Sequence, residues 1–240
     1  ISVEEKNTGE ASIGAGYSSS TAASITLGLK ENNFLGKGQK VNFGANLSNT
    51  RTTYDITFTE PYFNDKSLSL STNIYSSFSD PSSVNYETED LGFAASIGFP
   101  LAADKSLKAR YSLYTSKIKT DANATLYERL LAGTDTVSQI GYSFIFDKRN
   151  SRYKPSRGFS VSIDQDIAGL GGTSYYFKNR FQFNSYKRLS DRFVGAFKTE
   201  AGSVNGYNDK YAPLSSNFRL GGKKLRGFKS GKIGPKTGTS

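Results

Sequence analysis

One stretch of the 240-residue chain has the residue types for a site: Gly221-Gly222-Lys223-Lys224-Leu225-Arg226-Gly227-Phe228, followed by Ile233-Gly234-Pro235. Glycines on both sides let the backbone turn tightly and approach other surfaces, and Arg226 offers a rigid fork of donors suited to a buried carboxylate. The chemistry on offer is the tethering of a loop tip. Catalysis has little support, because histidine and cysteine are both absent. That removes the usual general base, thiolate metal sites and every Ser-His arrangement. Gly169-Leu170-Gly171-Gly172 follows a strand pattern, but no helix pattern opens after it, so it is not a dinucleotide loop. Gly227 to Lys232 has the wrong spacing for a phosphate-binding loop, and the Asp and Glu residues show no metal-loop spacing. No cofactor and no metal is expected.

The elements that would carry such a loop read as strands. From Leu91 to Phe99 every second residue is apolar, while Gly92, Ala94, Ser96 and Gly98 lie between them. Val41, Phe43, Ala45 and Leu47, and Phe159, Val161 and Ile163, repeat the pattern. This is the period of a strand with one oily face. The other face, built of Ser, Gly, Asn, Lys and Asp, cannot form a second dry core, so water lies on one side and hydrocarbon on the other. Alternating segments fall at 10–17, 22–33, 38–48, 53–61, 67–78, 88–99, 105–116, 136–147, 158–167, 174–187 and 192–204. No run approaches a membrane helix, but alternating strands cross a bilayer at modest hydropathy. The expected fold is all-β, an antiparallel transmembrane β-barrel. Barrels of this kind normally close on an even number of strands, so about eleven leaves the barrel incomplete.

Acidic-basic pairs at Asp65-Lys66, Asp104-Lys105, Asp147-Lys148 and Asp191-Arg192, with Gly36-Lys37-Gly38 before them, recur about two strands apart and predict one rim of short turns. Ser79 to Glu87, Lys117 to Thr134 and Asn205 to Leu220 predict longer loops on the other rim. Aromatic residues cluster near both, with Tyr62, Phe63, Phe99, Tyr186 and Phe193 at the short side and Tyr17, Tyr75, Phe78 and Tyr114 toward the long one, as interfacial girdles would. The formal charge of +10 is spread over turns and polar faces, which suits lipid headgroups or a wet lumen and not nucleic acid.

The Leu225-Arg226-Gly227-Phe228 tip followed by Ile233-Gly234-Pro235 resembles the signature of the BamA family of outer-membrane barrel insertases, within the bacterial surface antigen superfamily. Val3 to Gly9 resembles the family's junction between its last periplasmic POTRA domain and its first strand. Asn32 to Gly38 and Glu60-Pro61-Tyr62-Phe63 resemble its first periplasmic turns, and Asp147 through Pro155 to Gly158 a later one. The order is collinear over essentially the whole chain.

The resemblance implies residues 1–8 as the end of a POTRA domain, 9–204 as the first strands of a barrel of about sixteen, and 205–240 as a long extracellular loop, cut short, that folds into the lumen. Arg226, supported by Leu225, Gly227 and Phe228, would pair there with carboxylates beyond Ser240. Ile13-Gly14-Ala15-Gly16-Tyr17 would form the strand of a lateral gate. The implied role is a non-enzymatic insertase in the bacterial outer membrane. Its partners would be unfolded outer-membrane proteins, assembly-machinery lipoproteins, and outer-membrane lipids with lipopolysaccharide. The rival within the superfamily is the pore of a two-partner secretion transporter; a porin or adhesin has no such loop tip, and barrel hydrolases use histidine.

Overall fold

The computed structural model describes residues 7–18, 22–81, 85–130, 132–209, 212–213, 216–218, 220–221, 224–225, 227–228 and 233. Period-2 patterning becomes eleven strands: β1 (Gly9–Ser18), β2 (Ala22–Phe34), β3 (Gln39–Ser48), β4 (Arg51–Glu60), β5 (Ser69–Ser79), β6 (Tyr86–Ala102), β7 (Lys105–Thr120), β8 (Gly133–Asp147), β9 (Gly158–Ala168), β10 (Tyr176–Arg188) and β11 (Val194–Gly206). They form one unclosed antiparallel sheet in sequence order, each strand paired with its chain neighbours. This is an all-β meander, as expected. Of the 1–8 segment expected to end a POTRA domain, residues 1–6 lie outside the described residues, as do Arg226, Gly234 and Pro235.

Register carries side-chain parity from strand to strand. On one face Ile56, Ile74, Phe93 and Leu113 stand opposite one another across β4 to β7. That face is uncovered: Ile74 is 58% exposed and Leu91 60%. So large an apolar surface without a protein lid calls for a non-aqueous solvent. No described helix is long and apolar enough to cross a membrane, which says nothing against strands that do.

The opposite face is polar and concave. Tyr114 on β7 and Tyr176 on β10 bring their hydroxyls within 3.2 Å, although three inter-strand steps would separate their backbones by about 14 Å on a flat sheet. Arg110 on β7 likewise reaches Asp166 on β9 at 2.7 Å. A curl of the sheet toward its polar side shortens the span that these long side chains cross.

Three expectations need correction. Tyr75, Tyr114 and Tyr186 share the polar face: Tyr75 stands opposite Asp55 and Gly92, Tyr114 opposite Gly92, and Tyr186 opposite Gly158 and Ala196. Parity excludes them from a girdle on the apolar side. The rims are also uneven. The supposed short rim carries a ten-residue connection, 148–157, while the supposed long rim includes the two-residue link 49–50. Finally, the 121–132 connection holds a short helix, α1 (Leu126–Leu130). Its start is a reciprocal cap, in which Thr125 N donates to Glu128 Oε2 at 2.8 Å and Glu128 N donates to Thr125 Oγ1 at 3.2 Å.

Leu27 and Thr26 are adjacent, both exposed, and on opposite faces of β2. In vesicles, Leu27→Arg is expected to cost about 2–4 kcal/mol of unfolding free energy and Thr26→Arg no more than about 0.5 kcal/mol. Urea titration of the reconstituted protein reads both values; equal costs would mean that the two faces do not differ in solvent.

Candidate functional site

Three places hold the residues singled out above. The first is β1, which is hydrogen-bonded only to β2, with Gly9 opposite Glu31 and Ser18 opposite Ala22. Its other edge has no partner strand among the described residues. Ile13, Ala15 and Tyr17 share the apolar face, and Ile13 and Tyr17 are 81% and 83% exposed. Gly14 and Gly16 share the polar face, and nothing stands within 4 Å of where a Gly14 side chain would begin. The segment is thin on its wet side, greasy on its dry side and unpaired along one edge. Such an edge is a template for a further strand.

The second place is the polar face of β7 to β11, over which the chain returns after β11. Register sets Arg110, Gly141, Asp166 and Lys178 in one row across β7 to β10. A Cβ at Gly141 would meet Asp166 at 2.1 Å, so the missing side chain is the room through which Arg110 and Asp166 meet. Arg110 donates to Asp166 Oδ1 at 2.9 Å through Nε and to Ser143 Oγ at 2.5 Å. Asp164 accepts from Ser143 and stands 3.8 Å from Arg110. A half-buried cation with two carboxylates and a hydroxyl in fixed geometry stiffens this wall.

The returning segment docks beside that row. Ser216 donates to the Tyr176 hydroxyl at 3.0 Å and shares a hydrogen bond with Tyr114 at 3.3 Å, while Tyr176 donates to Gln139 at 2.7 Å. Tyr176 is 1% exposed and packs with Val137, Ala168 and Ala212. Phe218 lies over Gly202 of β11, where a Cβ would meet its ring at 2.5 Å. The ammonium groups of Lys178 and Lys224 stand 5.2 and 5.9 Å from that ring's centre. Glu200 accepts from Lys224 at 2.7 Å and pairs with Arg180 at 3.1 Å. Leu220 and Ile233 form an antiparallel bridge, which brings the two ends of the Gly221 to Lys232 stretch together. Within it Gly227 takes a φ of +90°, open to glycine at little cost, and Leu225 and Phe228 are exposed.

The third place is the turn after β4. Glu60 accepts from Tyr62 N at 3.1 Å and from Gln39 Nε2 at 2.8 Å, tying the Pro61 corner to β3. Phe63 N donates to Leu68 O at 2.8 Å, and Tyr62 and Phe63 remain exposed at the rim. The structure does not bring β1, this turn and the Leu225 to Ile233 segment into one pocket. Among the described residues no group of His, Cys, Asp and Glu is arranged to hold a metal.

Sequence reasoning missed Ser216, Phe218, Tyr176 and the Arg110 row. The available signals were a Gly in β11 and in β8 at polar-face positions, but which side chain fills each gap depends on register across three strands.

The family model described as the Omp85 superfamily domain matches residues 33–240. The outer membrane protein assembly factor BamA of Nitratidesulfovibrio vulgaris is 29% identical over 244 residues, covering 98% of this chain and 30% of that protein. The human sorting and assembly machinery component 50 homolog is 26% identical over 216 residues, covering 89% of this chain and 46% of that protein. A crystal structure of BamA from Haemophilus ducreyi lacking POTRA domains 1–3 superposes with a TM-score of 0.88 at 24% identity, covering 97% of this chain and 48% of that one. The chain thus spans between about a third and a half of the length of these relatives.

Gly202→Val and Phe218→Ala are both expected to free the returning segment, the first by filling its seat and the second by emptying it. Loss of about 1–2 kcal/mol of contact raises the open population roughly tenfold. Trypsin cleavage at Lys224 should speed up by that factor in both variants; a cleavage rate like the parent's would show that this seat does not hold the segment.

Proposed function

The chain belongs to the Omp85 superfamily, and on that premise we propose that it builds part of a transmembrane barrel that assembles other β-barrel proteins into the bacterial outer membrane. One observation carries the reading: an uncovered apolar sheet face that runs up to β1, a strand paired with β2 alone among the described residues and nearly bare of side chains on its wet side at Gly14 and Gly16. A client hairpin entering a bilayer must find partners for its backbone N–H and C=O groups before it loses water. The β1 edge supplies that partner row. Its glycine-rich wet side lets it bend away from β2, its one partner among the described residues.

In this proposal the Ile13 to Tyr17 segment is the lateral gate, and the work done is hydrogen-bond exchange, with no covalent step. The segment after β11 occupies the lumen, and Arg226 supplies the charge that fastens its tip to carboxylates elsewhere in the full barrel. The turn at Glu60 to Phe63 faces the periplasm, where assembly-machinery lipoproteins and POTRA domains would meet it. Lipids and lipopolysaccharide surround the apolar face.

Photocrosslinkers at Ile13, Tyr17 and Ile56 test the gate. In the full-length protein stalled with an outer-membrane client, adducts should form at Ile13 and Tyr17 and be absent at Ile56, which shares the apolar face in β4. Clients crosslinking at Ile56 as readily as at Ile13 would overturn the edge mechanism. Arg226→Lys keeps the charge but loses the fork, so client insertion into vesicles should slow in it nearly as much as in Arg226→Ala.

A further inference from the structure

At the 103–104 and 148–157 end of the sheet, two lysines converge on one phenylalanine of the apolar face. Lys105 stands directly opposite Phe146 in the β7–β8 register, and Lys148 follows two residues after it, on the same side. Each ammonium lies 5.3 Å from the centre of the Phe146 ring. Lys105 has no ion-pair partner among the described residues, and Lys148 has only Asp104 at 3.9 Å, at the edge of contact and half exposed. Neighbouring Arg149 shows what a satisfied cation looks like here. It grips Asp147 at 2.7 and 2.8 Å, and that carboxylate raises its already high pKa, so it stays charged and occupied. Two like charges drawn to one ring repel each other unless an anion sits between them.

The surroundings specify which anion. Phe146, Phe159, Phe183 and Phe197 form a continuous row across β8 to β11, with ring centres 5.5, 6.2 and 6.3 Å apart. All four occupy the apolar face. Aromatic rings in such a row mark the level where acyl chains give way to headgroups. Charge agrees with position. Residues 103–105, 147–157 and 187–192 carry nine Lys or Arg and three Asp, whereas 85–90 and 117–135 at the far end carry three Lys or Arg and six Asp or Glu.

We propose that Lys105 and Lys148, over the Phe146 ring, form a binding site for the phosphate of an anionic phospholipid in the leaflet at the 103–104 and 148–157 rim. The inference rests on the reading that the apolar face meets lipid. The phosphodiester lies between the two ammonium groups and the glycerol end of the acyl chains lies along the phenylalanine row. A free phosphate would gain the charge but make no use of that hydrocarbon floor.

The test uses the full-length protein in nanodiscs of phosphatidylcholine with phosphatidylglycerol, released and weighed by native mass spectrometry. The parent should retain phosphatidylglycerol in preference to phosphatidylcholine, and Lys105→Gln with Lys148→Gln should reduce that preference roughly tenfold. A Lys105→Arg, Lys148→Arg variant should keep it. Lys117→Gln with Lys119→Gln removes the same charge at the far end and should leave it unchanged. An unaltered preference in the first variant, or an equal loss in the far-end variant, overturns the site. Displacement of the lipid by inorganic phosphate would also overturn it, in favour of a plain anion site. Flotation with pure phosphatidylcholine vesicles separates this failure from that of the barrel reading: a parent protein that does not float sinks both, and one that floats without retaining phosphatidylglycerol sinks the lipid site alone.

Discussion

Backbone pairing in strict register is the constraint on which the rest of this molecule depends. Every strand from β2 to β10 is hydrogen-bonded on both sides by its chain neighbours. In a medium without water that is the sole way for an extended chain to satisfy its peptide groups. Because side chains alternate along a strand, fixing the register of one pair fixes which residues face which solvent in the next. The oily band and the wet wall are therefore two readings of a single ladder. A slip of one residue between β7 and β8 would take Arg110 out of line with Gly141 and Asp166 and move Phe146 to the wet side.

The two faces then use that register differently. On the apolar face, neighbours meet as bulky side chains, Ile74 against Phe93 or Phe146 against Phe159, with no further specificity needed. On the concave face, specificity comes from absence. Gly141 lets an arginine and an aspartate meet through the place where a methyl would stand, and Gly202 seats a ring from the returning segment. Gly92 does the same for Tyr75 and Tyr114, whose atoms stand 2.7 and 2.6 Å from its absent Cβ. Curvature makes these contacts possible, since bending toward the polar side shortens the span between strands that are not neighbours. Ser216 and Phe218 after β11 are accordingly seated by side chains, whereas β1 is held by backbone bonds to β2, its one partner strand among the described residues.

Much of this was legible in the chain itself, and the reason is period. Alternation placed all eleven strands, with ends such as 105 and 147 read correctly. It fell short at strand ends rich in charge: β6 begins at Tyr86 and β7 runs to Thr120, where Glu87 and Glu89 pair with Lys119 across the sheet. Composition also misplaced Tyr114 and Tyr186, because tyrosine suits a wet wall through its hydroxyl as well as an interface through its ring. The Thr125 and Glu128 pairing was a visible helix start, hidden inside what read as a loop. The seat of Phe218 was not visible at all, since it joins residues that only folded geometry makes adjacent.

The unequal lengths of the strands have a consequence for the outline of the molecule. β6 has 17 residues and β3 has 10, a difference of roughly 20 Å at the usual rise per residue. Register lines Leu47 up with Glu89 and Lys40 with Ser96, so β6 overruns β3 at both rims, by two residues at the 49–50 end and by five at the 103–104 end. Most of that height stands at the 103–104 rim, so a body approaching along the strands from that side meets β6 before β3.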